Sequence, residues 1–165
     1  MLDRTLAPKA NPIASLKLIL PETLEVGDSH IYHYTNSTLP IVKLDIVLGF
    51  NSINESQIGV NFFTVKMLQE GTKNYSMTDI SNAFSQKGAF LDISPGIKRS
   101  TITVYSLSKH ISELLPILFE MITASVYPEE NLEKLKTQTL NTLKINKEKN
   151  SYLAAKAFNE HLFGS

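Results

Sequence analysis

Residues 41–50 have the sequence IVKLDIVLGF, and this stretch decides the class of the fold. Its apolar residues recur at every second position, at Val42, Leu44, Ile46 and Leu48. A period of two with one apolar face predicts a β-strand that packs one side against a core. The preceding segment, residues 25–36, is rich in aromatic and β-branched residues and predicts another strand. We expect the two strands to form a hairpin through residues 37–40.

Helical patterns follow this strand pair. Residues 54–71 place apolar side chains on one helical stripe and end at Gly71, which predicts an amphipathic helix. A capping sequence, Ser76-Met77-Thr78-Asp79, predicts a second helix that ends near Lys87. Two strands are expected next, at residues 89–94 and 100–107. Three helices complete the prediction, at residues 108–125, 128–149 and 151–163, with Ser108, Pro128 and Ser151 at their starts.

The predicted order of elements is β-β-α-α-β-β-α-α-α. Strands joined by short turns indicate an antiparallel sheet, and the helices would cover one face of it, which is an α+β fold. A length of 165 residues fits one domain better than two, so we expect residues 1–165 to form a single domain. Residues 1–24 contain three prolines and are expected to form an extended N-terminal arm.

The composition argues against several classes of protein. Sixteen basic residues balance sixteen acidic ones, whereas a protein whose main partner is nucleic acid gains from a basic excess. The absence of cysteine removes disulfides, cysteine-zinc sites and thiol nucleophiles. No apolar run approaches the roughly 20 residues of a membrane span. The first residues also lack the pattern of a signal peptide, so we expect a cytoplasmic protein.

The residues with chemical potential do not converge on one point. His30 and His33 lie three apart on a predicted strand, which places them on opposite faces and disfavours a shared metal. His110 can pair with Glu113 along a helix, and His161 is expected near a helix C-terminus, so both have structural explanations. No Gly-x-Ser-x-Gly nucleophile motif is present. The residues alone therefore favour a binding or structural role over catalysis.

One segment resembles a known family. Residues 59–74, GVNFFTVKMLQEGTKN, are similar to the first helix of the insulinase/pitrilysin zinc peptidases, the inverzincins, in which H-x-x-E-H precedes Met-Leu and Gly-Thr. Further segments match the family in the same order, namely Leu2-Asp3-Arg4 with Pro8, Gly88-Ala89-Phe90-Leu91, Tyr127-Pro128 and Leu162-Phe163-Gly164. The likeness covers nearly the whole chain. It implies the α+β domain of that family, truncated here at its C-terminal end.

The chain departs from the family where zinc would bind. In active members the two histidines bind zinc and the glutamate is the general base. Those positions are occupied here by Phe62, Val65 and Lys66, and the third ligand aligns near Thr142. Phe62 and Val65 have no lone pair for a metal, and Lys66 adds a positive charge. The resemblance therefore implies a chain without zinc, without another cofactor and without catalytic residues.

The family also suggests a role. The resemblance implies a noncatalytic subunit that helps form the peptide-binding chamber of an active H-x-x-E-H chain, as one half of a heterodimer. The family lays an extended peptide on an edge strand, which places candidate substrate contacts at Leu91, Asp92, Ile93 and Ser94. Two alternatives stay open. One is a non-proteolytic binding or assembly protein on the same fold, and the other is an enzyme that depends on His30 or His33.

Overall fold

The computed structural model describes residues 19–35, 39–49, 58–96 and 98–164, which divide into two compact units, residues 1–39 and 40–165. In the first unit, β1 (Glu22–Val26) and β2 (Ser29–His33) form an antiparallel hairpin. The two strands are joined by Gly27 and Asp28, and Gly27 adopts a φ of 59°, which glycine accepts without strain. All residues of both strands are exposed.

The second unit contains a sheet of three antiparallel strands in the order β3-β5-β4. These are β3 (Ile41–Gly49), β4 (Phe90–Ser94) and β5 (Arg99–Leu107). Within the sheet Ile102 of β5 lies between Ile46 and Ile93 on its two neighbours. Because side chains alternate along each strand, this register collects the apolar positions of all three strands on one face.

Among the residues that the structure describes, five α-helices accompany the sheet. They are α1 (Ile58–Lys66), α2 (Met77–Gln86), α3 (Ile111–Thr123), α4 (Glu129–Lys147) and α5 (Asn150–Phe163). A turn of 3₁₀ helix, Met67–Gln69, extends α1. The predicted capping box begins α2, since the Asp79 amide donates to Ser76 Oγ over 3.2 Å and the Ser76 amide donates to the Asp79 carboxylate over 3.0 Å. The Ser76 hydroxyl also donates to the Asp79 carboxylate over 2.7 Å, and this bond, followed by the one from the Ser76 amide, lowers the pKa of Asp79.

The core lies between the inner face of the sheet and the first three helices. The sheet contributes Ile93, Ile102 and Val104. The helices contribute Val65, Leu68, Ile80, Phe84, Leu114, Ile117, Leu118 and Met121. Burial of these side chains is the main driving force for folding. The predicted α+β class, with an antiparallel sheet packed on one face by helices, is confirmed.

The predicted hairpin between the second and third strands is wrong. The strand that contains His30 pairs with residues 22–26, and β3 pairs with β5. The tight turn at Gly27 and Asp28 gives β2 a nearer partner than a loop through residues 37–40 would. Residues 22–24, which we placed in the extended N-terminal arm, therefore belong to β1, and residues 1–18 lie outside the described part of the chain.

Two predicted helix caps are also wrong, although their helices are present. The N-cap of α3 is His110 and that of α5 is Lys149, and neither side chain makes a capping hydrogen bond. Ser108 instead uses its backbone amide, which donates to the Pro40 carbonyl over 2.9 Å. Pro128 was predicted to be the first residue of α4 and is its N-cap, so the helix begins one residue later, at Glu129. Residues 54–57 of the first predicted helix lie outside the described residues.

Helices α4 and α5 differ from the others because neither contains a buried residue. They expose large apolar side chains along their length, including Leu140, Leu143, Ile145, Leu153, Phe158, Leu162 and Phe163. No helix in the described ranges is both long enough and apolar enough to cross a bilayer. The places where α4 approaches α1 bear on the site described next.

Candidate functional site

Helix α1 carries the three positions that the sequence singled out. Val65 is buried, with 2% of its surface exposed, and belongs to the core cluster. Phe62 is half-buried and packs edge-to-face against Phe63, with ring centroids 5.2 Å apart. Residues at i, i+3 and i+4 share one helical face, so Phe62, Val65 and Lys66 lie together on α1. That face is mostly committed to packing.

Lys66 has a polar partner on the sheet. Its Nζ donates a hydrogen bond of 2.9 Å to the backbone carbonyl of Ile93 in β4. The side chain is half-buried, and the two residues are 27 positions apart in sequence. A charged donor to a main-chain oxygen makes one of the stronger kinds of hydrogen bond. Lys66 thus ties the C-terminal end of α1 to the edge strand of the sheet.

Helix α4 approaches α1 from another side. Phe62, Phe63, Leu140 and Leu143 line an open and almost wholly apolar groove of about 440 Å³ between the two helices. Near one end of α4, Asn131 Nδ2 donates to the Glu70 carboxylate over 2.9 Å. Thr142, the aligned position of the third family ligand, lies on α4 and is exposed. The side chains that face this groove from the two helices are therefore mainly apolar and include no typical metal ligand.

The turn after α1 is fixed by a carboxylate of α3. Thr72 Oγ1 donates to Glu120 Oε1 over 2.6 Å, and the Asn74 amide donates to the same oxygen over 3.0 Å. Asn74 Nδ2 donates to Glu120 Oε2 over 3.1 Å. Hydrogen bonds from Thr72, and then from Asn74, lower the pKa of Glu120 because they favour the ionised carboxylate. This cluster positions the end of α1 relative to α3.

Strand β4 contains the four residues predicted to contact substrate. Its side chains alternate, with Ile93 buried, Leu91 half-buried, and Asp92 and Ser94 exposed. Ser94 Oγ donates to the Asp92 carboxylate over 2.7 Å, which links the two polar side chains on the outer face. Beside Leu91 lies a cavity of about 350 Å³. Strand β4 is thus an edge strand of the sheet with a cavity beside one end.

The family model for insulinase, peptidase family M16, matches residues 32–165. This chain belongs to peptidase family M16. The predicted family is thereby confirmed, and the matched range includes the helix at residues 58–66, which the sequence analysis aligned with the zinc-binding helix of active members. The family model also extends over the edge strand β4 and over helices α4 and α5.

Individual proteins are similar to this M16 chain in sequence or in fold. A protein of Helicobacter pylori described as non-peptidase homolog YmxG is 24% identical over 137 residues, which is 82% of this chain and 32% of that protein. The crystal structure of a peptidase M16 inactive domain from Pseudomonas fluorescens has a TM-score of 0.80 at 20% identity, covering 89% of this chain and 37% of the other. A protease from Helicobacter pylori has a TM-score of 0.60 at 13% identity, with coverages of 68% and 29%. This M16 chain spans about a third of the length of these relatives.

The residues of this M16 chain do not fit the zinc of the family. Val65 is an aliphatic core residue where the general base would be, and the Lys66 ammonium has no free lone pair for a metal. Phe62 offers a ring edge to Phe63 and no ligand atom. Within the described residues, no group of three or more His, Asp or Glu side chains could hold a metal ion. No catalytic step through zinc follows from this helix.

Three of the four histidines of the M16 chain have local partners, and His161 lies in the last turn of α5, near the helix C-terminus as predicted. In the hairpin, His30 faces Glu25 at 3.7 Å and His33 faces Glu22 at 3.9 Å, each across the two strands. His110 Nδ1 lies 3.3 Å from Glu113, which confirms the predicted helical pair. Structural roles are therefore sufficient to explain these side chains.

Sequence reasoning missed two contacts that shape the site. The bond between Lys66 and the Ile93 carbonyl joins residues 27 positions apart, which no local pattern connects. From the sequence, a lysine at an aligned ligand position indicated only that its charge would repel a metal ion. The hydrogen bonds of Glu120 were also missed, because a single glutamate in an amphipathic helix is normally expected to point into solvent. A Gly-Thr-x-Asn sequence after a helix was the one available signal, since Thr and Asn favour turns with side-chain hydrogen bonds.

Proposed function

We propose that this chain is a noncatalytic, zinc-free subunit of a two-chain M16 peptidase, in which an H-x-x-E-H partner performs hydrolysis. The observation that supports it most directly is the use of the motif positions on α1. Val65 is part of the core and Lys66 is bonded to β4, so the helix has structural tasks where an active member has ligands. Relatives described as a non-peptidase homolog and as an inactive domain support the same reading.

The contribution of such a subunit is binding rather than chemistry. Metal-assisted hydrolysis needs a polarised water and a general base, and α1 supplies neither. An edge strand supplies backbone donors and acceptors that pair with an extended peptide of varied sequence. In this proposal Leu91, Asp92, Ile93 and Ser94 form part of the wall of the peptide chamber.

The partner in this proposal is an active M16 chain. Helices α4 and α5 expose many large apolar side chains and bury none, among them Phe158 and Phe163. Apolar patches of this kind commonly mark surfaces that another polypeptide covers. Their exposure supports association with another chain.

The experiment is reconstitution with an H-x-x-E-H chain from the same genome. Each chain is purified alone and together, and hydrolysis of a quenched fluorescent peptide is measured. We expect no turnover by this chain alone and activity from the pair, which disappears when the partner's general-base Glu is replaced by Gln. Turnover by this chain alone that a His30→Ala, His33→Ala double variant abolishes would contradict the proposal. A stable complex without any gain of activity would instead favour a non-proteolytic assembly role.

A further inference from the structure

Strand β4 has one paired edge and one open edge. It pairs with β5, and within the described ranges no strand lies on its other side. Residues of an antiparallel strand direct their amide and carbonyl groups alternately toward the neighbouring strand and away from it. The register places Leu91 opposite Val104 and Ile93 opposite Ile102. Leu91 and Ile93 therefore direct their main-chain groups the same way.

The hydrogen bond of Lys66 shows whether Leu91 and Ile93 direct their main-chain groups toward β5 or toward the open edge. Main-chain groups of a strand lie in the plane of the sheet, and the amine of a helix side chain reaches such a carbonyl at the open edge. Because Lys66 Nζ lies 2.9 Å from the Ile93 carbonyl, Ile93 and Leu91 are the outward residues of β4. Phe90, Asp92 and Ser94 face β5 instead. The four candidate contact residues thus reduce to two for backbone pairing, Leu91 and Ile93.

The two outward residues have different surroundings. The Ile93 carbonyl already accepts the Lys66 ammonium, and the contact is partly buried. The Leu91 end opens on the cavity of about 350 Å³, whose wall includes Gln69, Glu70, Met77 and Phe84. A side chain of an added peptide has room there. One end of the open edge is therefore occupied by this chain itself, and the other is accessible.

We propose that Lys66 restricts peptide addition to β4 by holding the Ile93 carbonyl. An extended peptide then pairs freely at Leu91 and must displace the ammonium to pair at Ile93. The proposal rests on the proposed function, because it concerns the same peptide-contact strand, and it adds the register and the residue that limits binding. The ligand class is an extended polypeptide segment that forms a strand beside β4.

The test measures peptide binding by the full chain without any partner. The probe is a fluorescein-labelled ten-residue peptide of alternating Thr and Val, acetylated and amidated so that no terminal charge meets Lys66. Lys66→Met keeps the length of the side chain and removes its donors. We expect its affinity for the probe to rise on the order of tenfold, because displacing a charged hydrogen bond costs about that factor. Lys136→Met is the matched control, since Lys136 is half-buried on α4 and lines the apolar groove, and its affinity should stay that of the parent.

Amide hydrogen exchange checks the location in the parent chain as well. We expect the Leu91 and Ile93 amides to exchange faster than those of Asp92 and Ser94 in the free chain. When peptide binds, the Leu91 amide should gain the larger protection in the parent, and protection should extend fully to Ile93 only in Lys66→Met. Unchanged or weaker binding by Lys66→Met, absence of binding at millimolar peptide, or fast exchange at Asp92 and Ser94 would each overturn the proposal. Failure of reconstitution with an active chain would leave these results untouched, so the two proposals fail separately.

Discussion

Helices α1 and α4 carry the positions that the sequence analysis aligned with the family's zinc ligands, and the two helices use these positions differently. On α1 the aligned positions are structural, since Val65 is part of the core and Lys66 is bonded to the sheet. On α4 the aligned position, Thr142, is an exposed residue of a helix without any buried side chain. The aligned positions are thus part of the packing of α1, whereas the aligned position on α4 lies on the surface. Restoring ligands should therefore be costly on one helix and nearly free on the other.

The largest effect is expected for Val65→Glu, which restores the family residue at the position of the general base. The carboxylate would enter a site that is 2% exposed, among apolar side chains. Burying an unpaired charge is strongly unfavourable, so we expect the free energy of unfolding to fall by about 3 kcal/mol or more. Urea denaturation followed by circular dichroism measures it.

The neighbouring position provides the control for this variant. Thr64 lies on the same helix and is exposed, so Thr64→Glu should change the free energy of unfolding by no more than about 0.5 kcal/mol. If Val65→Glu were no more destabilising than Thr64→Glu, the former general-base position would not be a committed part of the core. The contrast between α1 and α4 would then disappear.

A smaller effect is expected from the carboxylate that fixes the turn after α1. The pKa of Glu120 is lowered in the folded chain by the hydrogen bonds from Thr72 and Asn74. A group with a lowered folded pKa stabilises the fold above its unfolded pKa and loses that contribution as the pH falls through its folded pKa. We expect Glu120→Gln to be less stable than the parent at pH 7, with the difference shrinking toward pH 3.

Urea titrations at several pH values measure this difference. Glu148 is exposed at the end of α4, so Glu148→Gln removes a carboxylate without touching the Thr72 turn. Its stability should follow that of the parent at every pH. A loss of stability in Glu120→Gln that is as large at pH 3 as at pH 7 would mean that packing, rather than the ionised carboxylate, holds the turn.

The sequence predicted local patterns well and long-range choices poorly. Alternation identified β3, and the capping box at Ser76 identified the start of α2, because both signals lie within a few residues. The partner of β2 was predicted wrongly, because two strands could pair with it and only the tight turn at Gly27 decides between them. Helices α3 and α5 begin without a side-chain cap, so cap chemistry could not place their first residues.

The candidate site shows the same difference between local patterns and long-range contacts. The family resemblance singled out Phe62, Val65 and Lys66, and their spacing on α1 places them on one face of the helix. What Lys66 does there depends on Ile93, which lies 27 residues away on a strand whose distance from α1 is set by the whole core. A contact of that kind follows from tertiary packing, which a single sequence does not display.

Thr142→Glu tests the other side of the comparison and should have a far smaller effect. The side chain is exposed, and glutamate has a slightly better helix propensity than threonine. We expect a change of no more than about 0.5 kcal/mol in the free energy of unfolding. A loss comparable with that of Val65→Glu would show that α4 is packed in solution at this position.

The smallest expected effect is that of zinc, which should be nil in both the parent and Thr142→Glu. A metal that binds only the folded chain stabilises it by an amount that grows with the logarithm of the metal concentration relative to Kd, so the melting temperature rises. One carboxylate on α4 does not create a site while α1 presents an aliphatic core residue and an ammonium engaged with Ile93. Thermal unfolding with excess zinc or with EDTA should therefore coincide for each protein. A zinc-dependent rise in the parent, with one metal bound per chain, would contradict the structural role assigned to α1. A rise confined to Thr142→Glu would show that α4 alone limits the metal, because the α1 positions are identical in the two chains.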